Sequence, residues 1–154
     1  LLQKILNNME EIIIENNLKL ISYFPNQEIT LKWYQDLDVC KQVDNIDIPY
    51  TIERLDAMYN YLSSNGDCYY IEFNNTLVGD VSIFNDNEIA IVISKEFQNQ
   101  HIGRKCINQM ILLAKAKGIK ELKATIFSFN TQSKKMFEAA GFKQVGKELY
   151  IYKI

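Results

Sequence analysis

The residues best placed to do chemistry in this 154-residue sequence lie between Glu88 and Ala114. A polar loop, Gln98-Asn99-Gln100-His101-Ile102-Gly103, separates a β-branched run, Ile89 to Ile93, from a segment in which Ile102, Cys106, Ile107, Met110, Ile111, Leu113 and Ala114 recur at three- and four-residue spacing. The first run is short and bounded by charge, which predicts a buried strand. The second has the one-sided period of an amphipathic helix. The loop therefore enters a helix, where backbone N–H groups without intrahelical partners point outward and suit an anion such as a phosphate. One glycine in a strand–loop–helix fits any α/β protein, so this stretch alone does not fix a function.

The elements around it follow from alternation and turn residues. Glu11–Glu15 and Leu18–Tyr23 read as strands about Asn16-Asn17, and Glu28–Gln35 as a short helix. Asp36–Pro49 has little periodicity and reads as a loop or one irregular helix. Thr51 is a good N-cap for a helix reaching Leu62, ended by Ser63-Ser64-Asn65-Gly66. Cys68–Phe73, Thr76–Phe84 and Glu88–Ser94 read as an antiparallel meander broken at Asn74-Asn75 and Asn85-Asp86-Asn87. Beyond Gly118 come a strand over Glu121–Phe127 in parallel crossover, a helix over Thr131–Ala140 with Asn130 as cap, and a closing hairpin about Gly146. The expected fold is an α/β (α+β) single domain over 1–154, with a mixed central sheet of about seven strands flanked by about four helices.

Composition narrows the class. With 47% hydrophobic residues, the chain can bury a core without staples. No apolar run is long enough to span a membrane. The opening Leu1 to Ile14 is interrupted by Asn7, Asn8, Glu10 and Glu11 and is not expected to be a signal peptide, with Met9 a candidate start. Cys40, Cys68 and Cys106 are odd in number and widely spaced, which fits reduced thiols, a cytoplasmic setting and no metal. The charge is divided. Residues 1–94 carry 15 acids and 5 bases, whereas residues 95–154 carry 4 acids and 12 bases. The basic half suits a polyanion and the acidic half a cation. No basic stripe interleaved with aromatics is present and the pI is about 5.5, so nucleic acid is not expected.

A second stretch makes the first specific. Asn130-Thr-Gln-Ser133-Lys-Lys-Met136-Phe137-Glu-Ala-Ala-Gly141-Phe142 follows at a set distance from Phe97-Gln98-Asn99-Gln100-His101-Ile102-Gly103. The pair resembles the two motifs of the GNAT family of N-acetyltransferases, and covers about the C-terminal half of the chain. Two positions depart from the family pattern. His101 stands where a glycine is usual, and Phe137 stands where many members carry a tyrosine that protonates the leaving thiolate.

The resemblance implies direct transfer of acetyl from acetyl-CoA to an amine, without a metal. Main chain at Ile91, Val92 and Ile93 would pair with the pantetheine arm, the Ile93 N–H polarising the thioester. Amides of Gln98, Asn99, Gln100, His101, Ile102 and Gly103 would hold the pyrophosphate, with Arg104 adding a charge-assisted bond. Asn130 and Ser133, at the start of the next helix, belong to the same site, and Phe137 would pack at the thioester end. Glu88 is the candidate general base and Asp80 a weaker one, while Tyr150 or Tyr152 would be the replacement acid.

The acceptor wall, by the same resemblance, lies between Lys32 and Leu62. Asp36, Asp38, Asp44, Asp47, Glu53 and Asp56 outnumber the bases there, and Trp33, Tyr34, Tyr50, Tyr59 and Tyr61 offer aromatic faces. A small cationic amine is the expected acceptor, on a monomer or homodimer. A protein N-terminus or lysine is the alternative acceptor. An acyl-CoA-binding sensor without efficient catalysis is the alternative of another class.

Overall fold

Asparagine does in this chain much of what glycine does elsewhere. The structure, a computed structural model describing residues 10–154, contains seven non-glycine residues with positive φ, of which six are asparagines. Asn74 and Asn75, with φ of 49° and 62°, turn β3 (Gly66–Phe73) into β4 (Thr76–Phe84). Asn85 and Asn87 turn β4 into β5 (Glu88–Ile93). Both turns use the left-handed conformation that asparagine tolerates better than most residues. The seventh residue is His101. The readings placed on residues 1–9, a leader-free opening and Met9 as a start, lie outside the described residues.

β1 (Glu11–Glu15) and β2 (Leu18–Ser22) precede this meander, and β6 (Glu121–Thr125), β7 (Lys143–Gln144) and β8 (Leu149–Lys153) follow it. The eight strands form one sheet in the order β1-β2-β3-β4-β5-β6-β8-β7. Among the described residues five α-helices accompany them: α1 (Gln27–Thr30), α2 (Leu37–Asp44), α3 (Ile52–Ser64), α4 (Ile102–Ala116) and α5 (Thr131–Ala139). The expected mixed sheet is present, with one more strand and one more helix than expected.

The extra helix is α2, in the acidic stretch that showed no period. Asp36 caps it, its Oδ1 accepting from the Asp38 and Val39 N–H groups at 2.9 and 3.2 Å, so one of the acids organises the segment. Glu28–Gln35 is not one helix. It is α1 followed by a separate 3-10 turn at Trp33–Gln35, and Thr30, Trp33 and Tyr34 are all buried around the break.

Each sheet face has its own core. Leu20, Ile71, Val81, Ile107, Met110 and Leu122 meet on the side of α4, together with Phe137 from α5. Tyr34, Val39, Leu55, Tyr59, Tyr70 and Val92 meet on the side of α2 and α3. Two irregularities decide what the sheet can hold. In the β3–β4 ladder Ile71 pairs with Gly79 but Glu72 pairs with Leu77, so Val78 is an extra residue. This bulge reverses the alternation, placing Leu77 and Asp80 on the same face although they are three residues apart. The second lies between β5 and β6, the parallel pair. Their register is the single pair Glu88–Lys123, with the Lys123 N–H donating to the Asn87 carbonyl at 3.1 Å. Beyond it the two strands part.

Candidate active site

Where β5 and β6 separate, a cleft of about 700 Å³ opens. Ile91, Val92 and Ile93 line one wall and Thr125, Ile126 and Phe127 the other. β5 is fully laddered to β4 on its far edge, Gly79 opposite Ile93 through Phe84 opposite Glu88. Its near edge has no strand partner past Glu88, so an extended ligand can satisfy main-chain groups there as an added strand would.

The far end of this channel is the start of α4. No side chain caps that terminus and no acid lies in its first turn. Asn99 and His101 hold φ of 62° and 64°, and turns that alternate left- and right-handed residues are the kind that gather main-chain N–H groups around an anion. Fifteen residues of helix stand behind this turn. Arg104 and Lys135 line the cleft nearby. Gly103 packs closely under α5: a Cβ there would meet the sulfur of the Met136 side chain, which can move aside. Histidine is among the residues that accept the left-handed conformation, so the departure at His101 is accommodated, its Cβ projecting where glycine would leave space.

The Gln98 side chain is committed within the protein. Its Nε2 donates to the Ile93 carbonyl at 2.9 Å and to Gln42 Oε1 of α2 at 3.0 Å. Lys95 adds an ion pair to Asp38 at 2.8 Å. The loop before α4 is thus tied to the helix forming the opposite wall, a connection of residues 56 apart that no local pattern announces.

That opposite wall carries the unusual chemistry. Asp80 lies across from Val92 in the β4–β5 ladder and is 3% exposed. Tyr34 and Tyr59, both fully buried, donate their hydroxyls to Asp80 Oδ2 at 2.6 and 2.7 Å. Burial pushes the carboxyl up to about 6, and the two hydroxyls pull in the other direction by stabilising the anion. Burial also raises both tyrosines, so they remain donors. An unpaired interior charge costs several kcal/mol, which hydrogen bonds to the charged form, at about 1.5–3 kcal/mol each, can offset. Both bonds fall on one oxygen, leaving Oδ1 without a protein donor among the described residues. Gly79 permits this position, since a Cβ would strike the Val92 carbonyl oxygen.

Two other carboxylates line the cleft. Asp44 is neutralised: Arg54 Nη2 is 3.3 Å from its Oδ2, Tyr50 donates to the same oxygen, and the guanidinium sits 4.5 Å from the Tyr50 ring centre. Glu88 accepts only the Thr125 hydroxyl, at 3.1 Å, and has no ion pair among the described residues.

Of the acceptor-wall residues expected from sequence, Tyr34, Asp44, Tyr50 and Tyr61 line the cleft, whereas Trp33, Asp36, Asp38, Asp47, Glu53, Asp56 and Tyr59 do not. Of the base and cofactor residues, all but one meet there: Glu88, Ile91, Val92, Ile93, Gln98, Asn99, His101, Ile102, Gly103, Arg104, Asn130, Ser133 and Phe137. Gln100 is the exception. It is exposed, its side chain bonding the Glu96 carbonyl at 3.3 Å. Asn130 Oδ1 caps α5 by accepting from the Ser133 N–H at 3.1 Å, which leaves its Nδ2 as a free donor toward the cleft. Phe137 both lines the cleft and packs edge-on against Phe142 at 5.1 Å. Neither Tyr150 nor Tyr152 reaches the cleft: Tyr150 is buried with an unpartnered hydroxyl, and Tyr152 packs on Phe142. Tyr34 and Tyr59 present hydroxyls to Asp80 instead of the aromatic faces expected of them. A charge in the middle of a wholly buried strand was the available signal for Asp80.

The sequence profile of the acetyltransferase (GNAT) family matches residues 30–142. No curated protein matches the chain in sequence. Among solved structures, a domain from Methanocaldococcus jannaschii DSM 2661 superposes with a TM-score of 0.73 at 26% identity, over 96% of this chain and 100% of that one. An acetyltransferase (GNAT family) from Bacillus anthracis gives 0.76 at 19% identity, over 94% and 98%. RimL, a ribosomal L7/L12 alpha-N-protein acetyltransferase in complex with coenzyme A, gives 0.72 at 14% identity, over 94% and 98%.

Proposed function

The chain belongs to the GNAT family of acetyltransferases, and on that premise we propose that it transfers acetyl from acetyl-CoA to a small cationic primary amine. The residues present suit acetyl-CoA as cosubstrate. The uncapped α4 terminus, the Asn99–His101 turn, Arg104 and Lys135 offer donors and positive charge to a pyrophosphate. The free edge of β5 offers main chain to an amide-bearing arm, and Asn130 Nδ2 offers a further donor. Phe137 closes the apolar end. Acetyl-CoA supplies the thioester, and the chain supplies position, a polarising N–H at Ile93 and a proton acceptor.

A primary amine is protonated near neutral pH and attacks only after losing a proton. Glu88 and Asp80 are the cleft carboxylates without a cation partner. Asp80 stands directly across from Val92, one residue from Ile93, whereas Glu88 lies at the opposite end of β5. The observation that carries the assignment is the buried Asp80 carboxylate with two tyrosine hydroxyls on a single oxygen. We therefore assign proton removal to Asp80, with Glu88 as the competing base. Phe137 cannot donate a proton, so the departing thiolate would take one from the newly bonded nitrogen or from solvent.

The likeness in fold to RimL, a ribosomal L7/L12 alpha-N-protein acetyltransferase, keeps a protein acceptor as the second reading. Thiol release from acetyl-CoA separates the two, using free primary amines in one arm and N-terminal peptides in the other. Faster turnover of the free amines supports a small acceptor, and faster turnover of peptides overturns it.

A further inference from the structure

The two cleft carboxylates without an ion pair among the described residues, Asp80 and Glu88, stand on the same sheet face at a fixed separation; Lys123, the strand partner of Glu88, turns its amine toward Asp86. Asp80 pairs with Val92 and Phe84 pairs with Glu88 in one unbroken antiparallel register. Glu88, Ala90 and Val92 alternate onto one face of β5, so the Glu88 side chain emerges on the side of Asp80. Four residues of strand separate the two positions, about 13 Å at the usual rise. Between them Ala90 is exposed and small, while Met58, Leu62 and Phe84 add apolar lining. The result is a lane with an anion at each end and an apolar middle. The cationic groups of the cleft, Arg104 and Lys135, belong to the phosphate end.

Resting on the acetyl-transfer reading above, we infer that the acceptor is a linear aliphatic diamine or polyamine, its reacting ammonium at Asp80 and its distal ammonium at Glu88. The inward end must be unbranched. Asp80 is nearly enclosed and Tyr34 and Tyr59 occupy Oδ2, so only a slender –CH2–NH3⁺ group reaches Oδ1. The α-amino group of a peptide carries a side chain and a carbonyl on the adjacent carbon and needs a wider approach. The step balances as follows. Asp80 takes one proton from the ammonium, and the freed nitrogen lone pair forms the C–N bond to the acetyl carbon. The C–S bond then breaks with its electron pair on sulfur. The second nitrogen proton goes to that thiolate, and Asp80 returns its own to solvent.

The test uses the full chain with diaminooctane, octylamine, diaminopropane and an N-terminal peptide. Binding is read by calorimetry and turnover by thiol release from acetyl-CoA. The wild-type protein is expected to bind and acetylate diaminooctane at least about tenfold better than octylamine, which has the same chain but one charge, and better than diaminopropane, which is too short. Glu88→Gln raises the KM and Kd for diaminooctane about tenfold and erases its advantage over octylamine. Asp80→Asn lowers kcat with both amines. Equal handling of diaminooctane and octylamine overturns the inference, as does an advantage that survives Glu88→Gln or a peptide that outcompetes the diamine. A collapse of kcat for octylamine in Glu88→Gln also overturns it, because it makes Glu88 the base. Diamine preference in calorimetry without any response to acetyl-CoA would sink the transfer reading and leave the diamine site standing. Acetyl transfer without diamine preference would do the reverse.

Discussion

The two ends of the cleft are built from different materials. The end proposed for the cofactor is mostly main chain: the free edge of β5, the uncapped start of α4 and the left-handed turn at Asn99 and His101. The end proposed for the acceptor is mostly side chain: Asp80 gathered with Tyr34 and Tyr59, which lie 46 and 21 residues away along the chain. Backbone sites tolerate many side chains, so one fold can keep the same donor while the acceptor end varies. The two ends should therefore respond differently to substitution.

The largest effect is expected at the acceptor end. Asp80→Asn keeps size and hydrogen-bonding capacity but cannot take a proton, and should lower kcat by about 10²–10⁴-fold, the usual worth of a general base. Acetyl-CoA binding should change little. A comparable loss of acetyl-CoA affinity would show that the two ends are not separate.

The pH profile sharpens the same point. Asp80 must be ionised to act, and its carboxyl is pushed up to about 6, so kcat/KM should fall with an acid limb near pH 6 that Asp80→Asn removes. The neighbouring Tyr34, Tyr59, Tyr70 and Cys68 are all raised by burial and stay neutral there. Stability should move in the opposite direction. The native state binds this proton at a higher pH than the unfolded chain does, so the contribution of Asp80 to stability rises as pH falls from about 6 toward about 4.

Two glycines separate packing from site effects. Gly79→Ala drives a Cβ into the Val92 carbonyl oxygen and should cost about 3 kcal/mol or more, because backbone must move. Gly103→Ala meets only the flexible end of Met136 and should cost about 1 kcal/mol. Thermal or urea unfolding would check the order.

The smallest effect concerns the departure in the phosphate loop. His101→Gly relieves a left-handed residue of about 1 kcal/mol but adds unfolded-state freedom of similar size, so stability should stay within about 1 kcal/mol. CoA affinity should rise a few-fold as the Cβ leaves the turn. Weaker binding would mean that the imidazole itself contacts phosphate.

The same contrast explains what could be read in advance. Ile89 to Gly103 places a strand, a loop and a helix by local rules, and the cofactor end follows from them. α2 lies in the stretch that reads as a loop or one irregular helix, because its cap, Asp36, looks like one more solvated acid until its side chain is seen to accept from Asp38 and Val39. The meander predicts that Asp80 lies on a strand, but its surroundings depend on a bulge at Val78 and on tyrosines from a 3-10 turn and α3. Tyr34 and Tyr59 read as aromatic faces because spacing along the chain says nothing about where a hydroxyl ends. Glu88 was visible as a strand-edge acid. That it has a hydroxyl partner but no ion pair among the described residues is a fact of the folded cleft.

The most direct test of the account is a thermal melt with acetyl-CoA, CoA and ATP in parallel. Ligand at about a hundred times its dissociation constant adds about 2.7 kcal/mol, several degrees for a domain of this size. The account predicts a clear upward shift with acetyl-CoA and CoA and little with ATP. No shift with either CoA form would mean that His101 closes the phosphate site and would contradict the acetyl-transfer reading. A shift without turnover of any amine would make the chain an acyl-CoA sensor.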